Sequence, residues 1–177
     1  VSKSSWVFYL DADYCKENNI IIANIAGANS QSVAEYALWM MLSLAKRLPV
    51  QLLSNFKTET SKRNMQTEVT GKTVGVVGLG NIGKRIAKMC VGIGMKVNYW
   101  SPKSRDKNYE YQELNTLLSD SDFIFNCIEA YEATKDFFNV ERLSLLGKNS
   151  HFISVMGGMG WGTENNNYLI EMLNEGR

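Results

Sequence analysis

The strongest constraint on the fold of this chain is a strand-like run, Thr73-Val74-Gly75-Val76-Val77, that stops at Gly78-Leu79-Gly80-Asn81-Ile82-Gly83. The three glycines have the spacing G-x-G-x-x-G. A helical stripe of Ile82, Ile86, Met89 and Ile93 starts there and stops at Gly94, and Lys96-Val97-Asn98-Tyr99-Trp100 follows as a second strand. In that setting each glycine has a physical reason. Gly78 permits the tight turn, Gly80 leaves the backbone open to a bulky anion, and Gly83 lets helix and strand pack closely. The N–H groups of Asn81 and Ile82 then face outward at the positive end of the helix, which suits a pyrophosphate. The turn therefore points to dinucleotide binding. A methyltransferase loop is the rival reading, and it lacks the third glycine at this spacing.

The same alternation continues down the chain. Tyr111 to Ser119 reads as a helix, Asp122 to Cys127 as a strand, Val140 to Leu146 as a short helix, His151 to Val155 as a strand, and Tyr168 to Asn174 as a helix. Strands alternating with helices imply an α/β, doubly wound parallel sheet of the Rossmann type. Before the turn, the stretch from Trp6 to Ile22 reads as strand, helix (from Asp11) and strand (Ile20-Ile21-Ile22). Asn29-Ser30-Gln31-Ser32 then forms a capping cluster for a helix with apolar residues at Val33, Tyr36, Ala37, Met40, Met41, Leu44 and Leu48, ended by Pro49. The run from Ser54 to Thr70 is polar and reads as loop or poorly packed helix.

Composition narrows the function classes. The formal net charge of +1 gives no general attraction to nucleic acid or a membrane surface. The longest apolar run, Val33 to Leu48, is interrupted by Glu35, Ser43, Lys46 and Arg47 and falls short of the ~18–20 apolar residues of a membrane span. Cys15, Cys90 and Cys127 are far apart and odd in number, so no zinc site or disulfide framework is expected, and a reduced cytoplasmic setting is. The chain opens on Val1 rather than Met and closes just past a helical run, so it is expected to be part of a longer protein.

The end of the second strand decides the cofactor. An acidic residue there would hold the adenosine ribose of NAD, whereas a nearby cation suits the 2′-phosphate of NADP. Ser101 stands at the acidic position, in Ser101-Pro102-Lys103-Ser104-Arg105. No carboxylate repels a phosphate, and Lys103 or Arg105 can bind one, so NADP is preferred over NAD.

These motifs resemble the D-isomer-specific 2-hydroxyacid dehydrogenase family, which includes glyoxylate/hydroxypyruvate reductases and phosphoglycerate dehydrogenases. Asn24-Ile25-Ala26-Gly27 followed by Ser32-Val33-Ala34-Glu35 resembles the start of the family's long interdomain helix. Gly71 to Gly83 is similar to its cofactor fingerprint. Ser121-Asp122, the strand to Cys127, and Glu132-Ala133-Thr134 resemble its "sD…P-x-T-x-x-T" stretch, with Glu129 and Tyr131 replacing the Pro and the first Thr. The resemblance implies hydride transfer between NAD(P) and a 2-keto or 2-hydroxy acid in a cleft between two domains, and a homodimer through the helix 33–48. It further implies that residues 1–23 are a remnant of the substrate domain and 24–177 the dinucleotide-binding domain, cut short at its C-terminal end. The Cys127-Ile128 backbone and Thr134 would line the cofactor, together with Gly78, Gly80, Asn81, Ile82, Gly83, Ser101, Lys103, Ser104 and Arg105.

The catalytic pattern departs from the family. Its Arg lies in "N-x-x-R-G", and the present sequence reads Ser154-Val155-Met156-Gly157-Gly158, with Gly157 at the Arg position. Removing one preorganised donor at a reacting oxygen costs ~10²–10³ in rate. The family's His–Glu pair would fall beyond Arg177. His151, the single histidine, does not match it and is expected to be structural or at the surface. The Gly- and Asn-rich run Met159 to Asn167 has no counterpart in the family pattern. The chain alone is therefore expected to be inactive, with no catalytic residue of its own. Two alternatives accompany the enzyme reading: a non-catalytic cofactor-binding or interaction relative, and a structural fragment that binds no nucleotide.

Overall fold

The computed structural model describes residues 10–53, 66–129, 134–155 and 163–175. Before the sheet come α1 (Ala12–Glu17), α2 (Ser30–Ala45) and α3 (Leu48–Leu53). The sheet region then runs β1 (Thr73–Val77), α4 (Asn81–Gly92), β2 (Lys96–Trp100), β3 (Glu110–Tyr111), α5 (Leu114–Asp120), β4 (Phe123–Asn126), α6 (Val140–Ser144), β5 (His151–Ser154) and α7 (Thr163–Asn174).

The five strands form one sheet in the order β3-β2-β1-β4-β5, all pairs parallel. The order reverses between β1 and β4, and ligands of open α/β sheets bind outside the strand ends at such a point. Side chains alternate across the sheet as strand geometry requires. Val74, Val76, Phe123 and Phe125 face a core shared with α2 and α4, whereas Val77 and Ile124 face Leu114, Leu117, Leu118, Phe138 and Leu143 on the other side. The expected doubly wound sheet is thus present. Among the described residues no helix is long and apolar enough to cross a membrane.

Several local expectations are corrected. Ile20-Ile21-Ile22 is not a strand: Ile21 is 92 % exposed, and the run only leaves α1, with the Ile20 N–H donating to Cys15 O at 2.8 Å. Among the described residues no strand pairs with this triplet. The Trp6 strand lies outside the described residues. The helix 33–48 begins at Ser30, stops at Ala45 and is followed by the separate α3; Arg47, at φ 54°, breaks the path before Pro49. The Asn29 side chain makes no capping bond, although Asn29 is the N-cap residue. The apolar stripe of α2 also divides. Ala34, Ala37, Met41 and Ala45 are buried, while Tyr36 and Trp39 face outward, their rings 5.2 Å apart.

Tyr111 belongs to β3 and not to a helix. It pairs with Tyr99 in the sheet and meets that ring edge-on at 5.6 Å. The tertiary partner outweighs the helical spacing of Tyr111, Leu114 and Leu118. The residues buried on α4 are Gly83, Ile86, Ala87 and Cys90, with Ile82, Met89 and Ile93 packed partly against the core. Gly94, at φ +82°, terminates α4 as expected.

Candidate dinucleotide site

The glycine turn carries the first part of the site. Gly78 has φ +98°, where an L side chain is strained, and a Cβ on it would lie 2.9 Å from the Cys127 carbonyl carbon and oxygen. A Cβ on Gly83 would lie 2.1 Å from the Gly78 carbonyl oxygen and 3.1 Å from Val76 Cγ1. Gly80 differs from both: nothing lies within 4 Å of a Cβ placed there. Two glycines are thus required by the fold itself, while the third borders open space at the N-terminus of α4. The first-turn N–H groups of α4 have no intrahelical acceptor and the helix dipole is positive there. An anionic pyrophosphate fits this arrangement in shape and in charge.

Asn81 has a second neighbour. Gly27, at φ +83°, lies so close that a Cβ on it would stand 3.0 Å from Asn81 Nδ2. The loop before α2 therefore touches the glycine turn. Arg85 donates to Asn81 O at 2.9 Å.

The loop after β2 forms the second part, and it is already well bonded. Ser101 is buried, and its Oγ accepts from the Ser104 N–H at 3.2 Å. Arg105 donates to Ser101 O at 2.8 Å and to Ser104 O at 3.0 Å, and its guanidinium lies 4.2 Å above the Tyr111 ring. The Tyr99 hydroxyl accepts from the Asp106 N–H at 2.8 Å, and Lys84 on α4 reaches Asp106 Oδ2 at 3.6 Å. The Asn108 backbone N–H, the main cause, and its side chain hold the Asp106 carboxyl below the usual range. Arg105 thus serves to shape the loop, whereas Lys103 stands exposed.

The stretch after β4 is the third part. Cys127 is half-buried and Cys90 is buried; burial pushes both thiols up to about 12, which leaves them protonated and poor nucleophiles. The Ile128 N–H donates to Asn126 Oδ1 at 3.2 Å. Thr134 is buried, and its hydroxyl donates to Glu129 O at 2.7 Å, so it ties the loop together from within. Tyr131 and Gly157 lie outside the described residues.

His151 stands apart from these parts. It begins β5, stacks on Phe123 with ring centroids 4.9 Å apart, and its buried Nδ1 has no hydrogen-bond partner among the described residues. Burial, the largest cause, pushes its pKa down. Three residues that matter were not singled out from the sequence. A Cβ on Gly75 would stand 2.5 Å from both Leu117 Cδ2 and Ser121 Oγ. Asn165, from the Asn-rich run, donates to Asp136 Oδ1 at 2.8 Å and so anchors α7. Asn126 is wholly buried, and an Asn closing the apolar run Phe123-Ile124-Phe125 was the available signal.

The family model described as D-isomer specific 2-hydroxyacid dehydrogenase, NAD binding domain, matches residues 38–177. A hydroxypyruvate reductase of Thermotoga maritima is 34 % identical over 138 residues, covering 76 % of this chain and 45 % of that protein. Among solved structures, D-mandelate dehydrogenase of Rhodotorula graminis superposes with a TM-score of 0.85 at 23 % identity, over 98 % of this chain and 54 % of that one. D-lactate dehydrogenase of Aquifex aeolicus, complexed with NAD and lactic acid, superposes with a TM-score of 0.78 at 28 % identity, over 96 % and 52 %. The chain spans about half the length of the curated relatives it matches, 45 % and 50 % in two of them.

Proposed function

The chain belongs to the D-isomer-specific 2-hydroxyacid dehydrogenases, of which it carries the NAD-binding domain, and from that premise we propose that it holds NADP(H) in preference to NAD(H) for hydride exchange with a small 2-keto or 2-hydroxy acid. The observation that carries the reading is the open space over Gly80, set between two glycines that the fold itself requires. In this reading the pyrophosphate lies over Gly78, Gly80, Asn81, Ile82 and Gly83. The adenosine half runs toward Ser101, Lys103, Ser104 and Arg105, and the nicotinamide half toward Cys127, Ile128 and Thr134. Lys103 and the absence of a carboxylate at Ser101 support NADP. Residues 1–23 belong to the substrate domain and residues 24–177 to the cofactor domain.

Binding is tested by titrating the protein with NADPH and NADH. Tighter NADPH binding is expected. Tighter NADH binding would reverse the preference, and no signal with either at about millimolar concentration would overturn the dinucleotide reading, since specific sites of this kind bind well below that range. Turnover is tested by NADPH oxidation with glyoxylate or hydroxypyruvate.

Gly157 favours a second reading, in which the protein holds the cofactor without turning over substrate. A glycine supplies no cation for a substrate carboxylate, so binding without turnover would support it. A homodimer through α2 accompanies both readings, supported by the outward Tyr36 and Trp39. A monomer by light scattering would remove it.

A further inference from the structure

Asn126 closes β4 and is wholly buried, in register with Val77 of β1 on one side and Ser154 of β5 on the other. An amide in such a place is costly unless it is bonded, and Asn is a poor strand former. The sheet does not need the side chain, because the backbone here is already paired: the Cys127 N–H donates to Val77 O at 2.8 Å and the Val155 N–H to Asn126 O at 3.1 Å. The side chain instead bonds in two directions beyond the strand. Its Nδ2 donates to Ser154 Oγ at 3.2 Å, and its Oδ1 accepts from the Ile128 N–H at 3.2 Å.

Those bonds fix how the chain leaves β4. The segment they steer is the wall of the glycine turn, since the Cys127 carbonyl and the Ile128 nitrogen are the atoms that a Cβ on Gly78 would strike. The adenosine side of the crevice lies over β2, so the other half of an extended dinucleotide crosses β4 and β5. We infer that Asn126 is a positioning residue for the nicotinamide half of the bound cofactor, through the Cys127–Ile128 backbone and the end of β5. The inference rests on the dinucleotide reading above.

The test compares NADPH with its nicotinamide-free fragment, 2′-phospho-ADP-ribose, in the wild-type protein and in Asn126→Val and Ser154→Ala. The wild type is expected to bind NADPH more tightly than the fragment. Asn126→Val is expected to weaken NADPH by about tenfold, the scale of a lost buried hydrogen-bond pair, and the fragment by less than about twofold. Ser154→Ala removes the acceptor of the Asn126 Nδ2 bond and is expected to weaken NADPH by roughly threefold, again without moving the fragment. A merely structural role would weaken both ligands alike. Equal losses for the two ligands, no loss for either, or equal wild-type affinities would overturn the inference while leaving dinucleotide binding in place. Absence of binding by the wild type to NADPH, NADH and the fragment would overturn the dinucleotide reading and the inference with it. Thermal melting reports whether Asn126→Val folds; if it does not, the Ser154→Ala ratio decides, and an unchanged ratio counts against the inference.

Discussion

Gly83 sits directly beneath the Gly78 carbonyl: a Cβ on Gly83 would stand 2.1 Å from that oxygen. The N-terminus of α4 and the end of β1 are thereby locked together by the absence of a side chain. Gly83→Ala must push the helix off the strand, and overpacking of this kind costs about 1–3 kcal/mol. Gly80→Ala meets open space at φ −86°, so the fold loses nothing and the unfolded chain loses some freedom. Melting and NADPH titration of the two variants should therefore separate. Gly83→Ala lowers the melting midpoint by several degrees, at about 2–4 °C per kcal/mol for this size. Gly80→Ala does not lower it and weakens NADPH by at least about tenfold, as a methyl displaces the pyrophosphate. A Gly80→Ala variant with unchanged affinity would remove Gly80 from the site.

The glycine turn was legible in the sequence because its constraints are local: a strand, a turn and a helix that adjoin in the chain. Gly75 belongs to the same strand and is as tightly packed, but its partners Leu117 and Ser121 come from α5 and its C-cap. No local pattern announces them. Helical spacing places Tyr111 in a helix for a similar reason, since its pairing with Tyr99 is tertiary. At Arg105 the sequence shows a cation in the turn after β2, and only the structure shows that Ser101 O, Ser104 O and the Tyr111 ring already engage it.

That engagement divides the roles of two neighbouring cations. Lys103 is exposed and makes no bond within the loop, so it is the cation that meets a 2′-phosphate in the NADP reading. Lys103→Ala should weaken NADPH by roughly tenfold, the lower end of a charge-assisted bond, and leave NADH unchanged. Arg105→Ala should weaken both dinucleotides, because it loosens the loop and not one phosphate contact. Parallel Kd measurements with both dinucleotides check this. A selective loss of NADPH in Arg105→Ala, with none in Lys103→Ala, would exchange the two assignments.

The three cysteines should differ in reactivity. Burial pushes the thiols of Cys90 and Cys127 up to about 12, so almost no thiolate exists at neutral pH, and the thiolate is the form that reacts. Cys15, in α1, has no buried neighbour on its own helix. Brief treatment of the folded protein with iodoacetamide near pH 8, followed by peptide mass mapping, should place the label on Cys15 and leave Cys90 and Cys127 unmodified until denaturant is added. Rapid labelling of Cys127 in the folded protein would show that its thiol reaches the crevice.

His151 makes stability depend on pH in a defined direction. Its pKa is pushed below the ordinary 6.5, first by burial and then by the positive Arg47, against opposing contributions from Asp122. The neutral ring stacks on Phe123, and its buried Nδ1 has no hydrogen-bond partner among the described residues. The folded state therefore binds a proton less readily than the unfolded chain. Its contribution to stability is complete above the unfolded pKa and is lost as pH falls through the folded one. Between about pH 7 and pH 5 the wild type should lose stability as this proton is taken up, whereas Asp106, also held low but as a carboxyl, acts only at more acidic pH. His151→Phe keeps an aromatic ring against Phe123 and removes the titration. The wild-type denaturant midpoint should fall relative to that of His151→Phe as the pH is lowered. Parallel curves would show that the His151 ring takes up its proton as easily in the folded protein as in the unfolded chain.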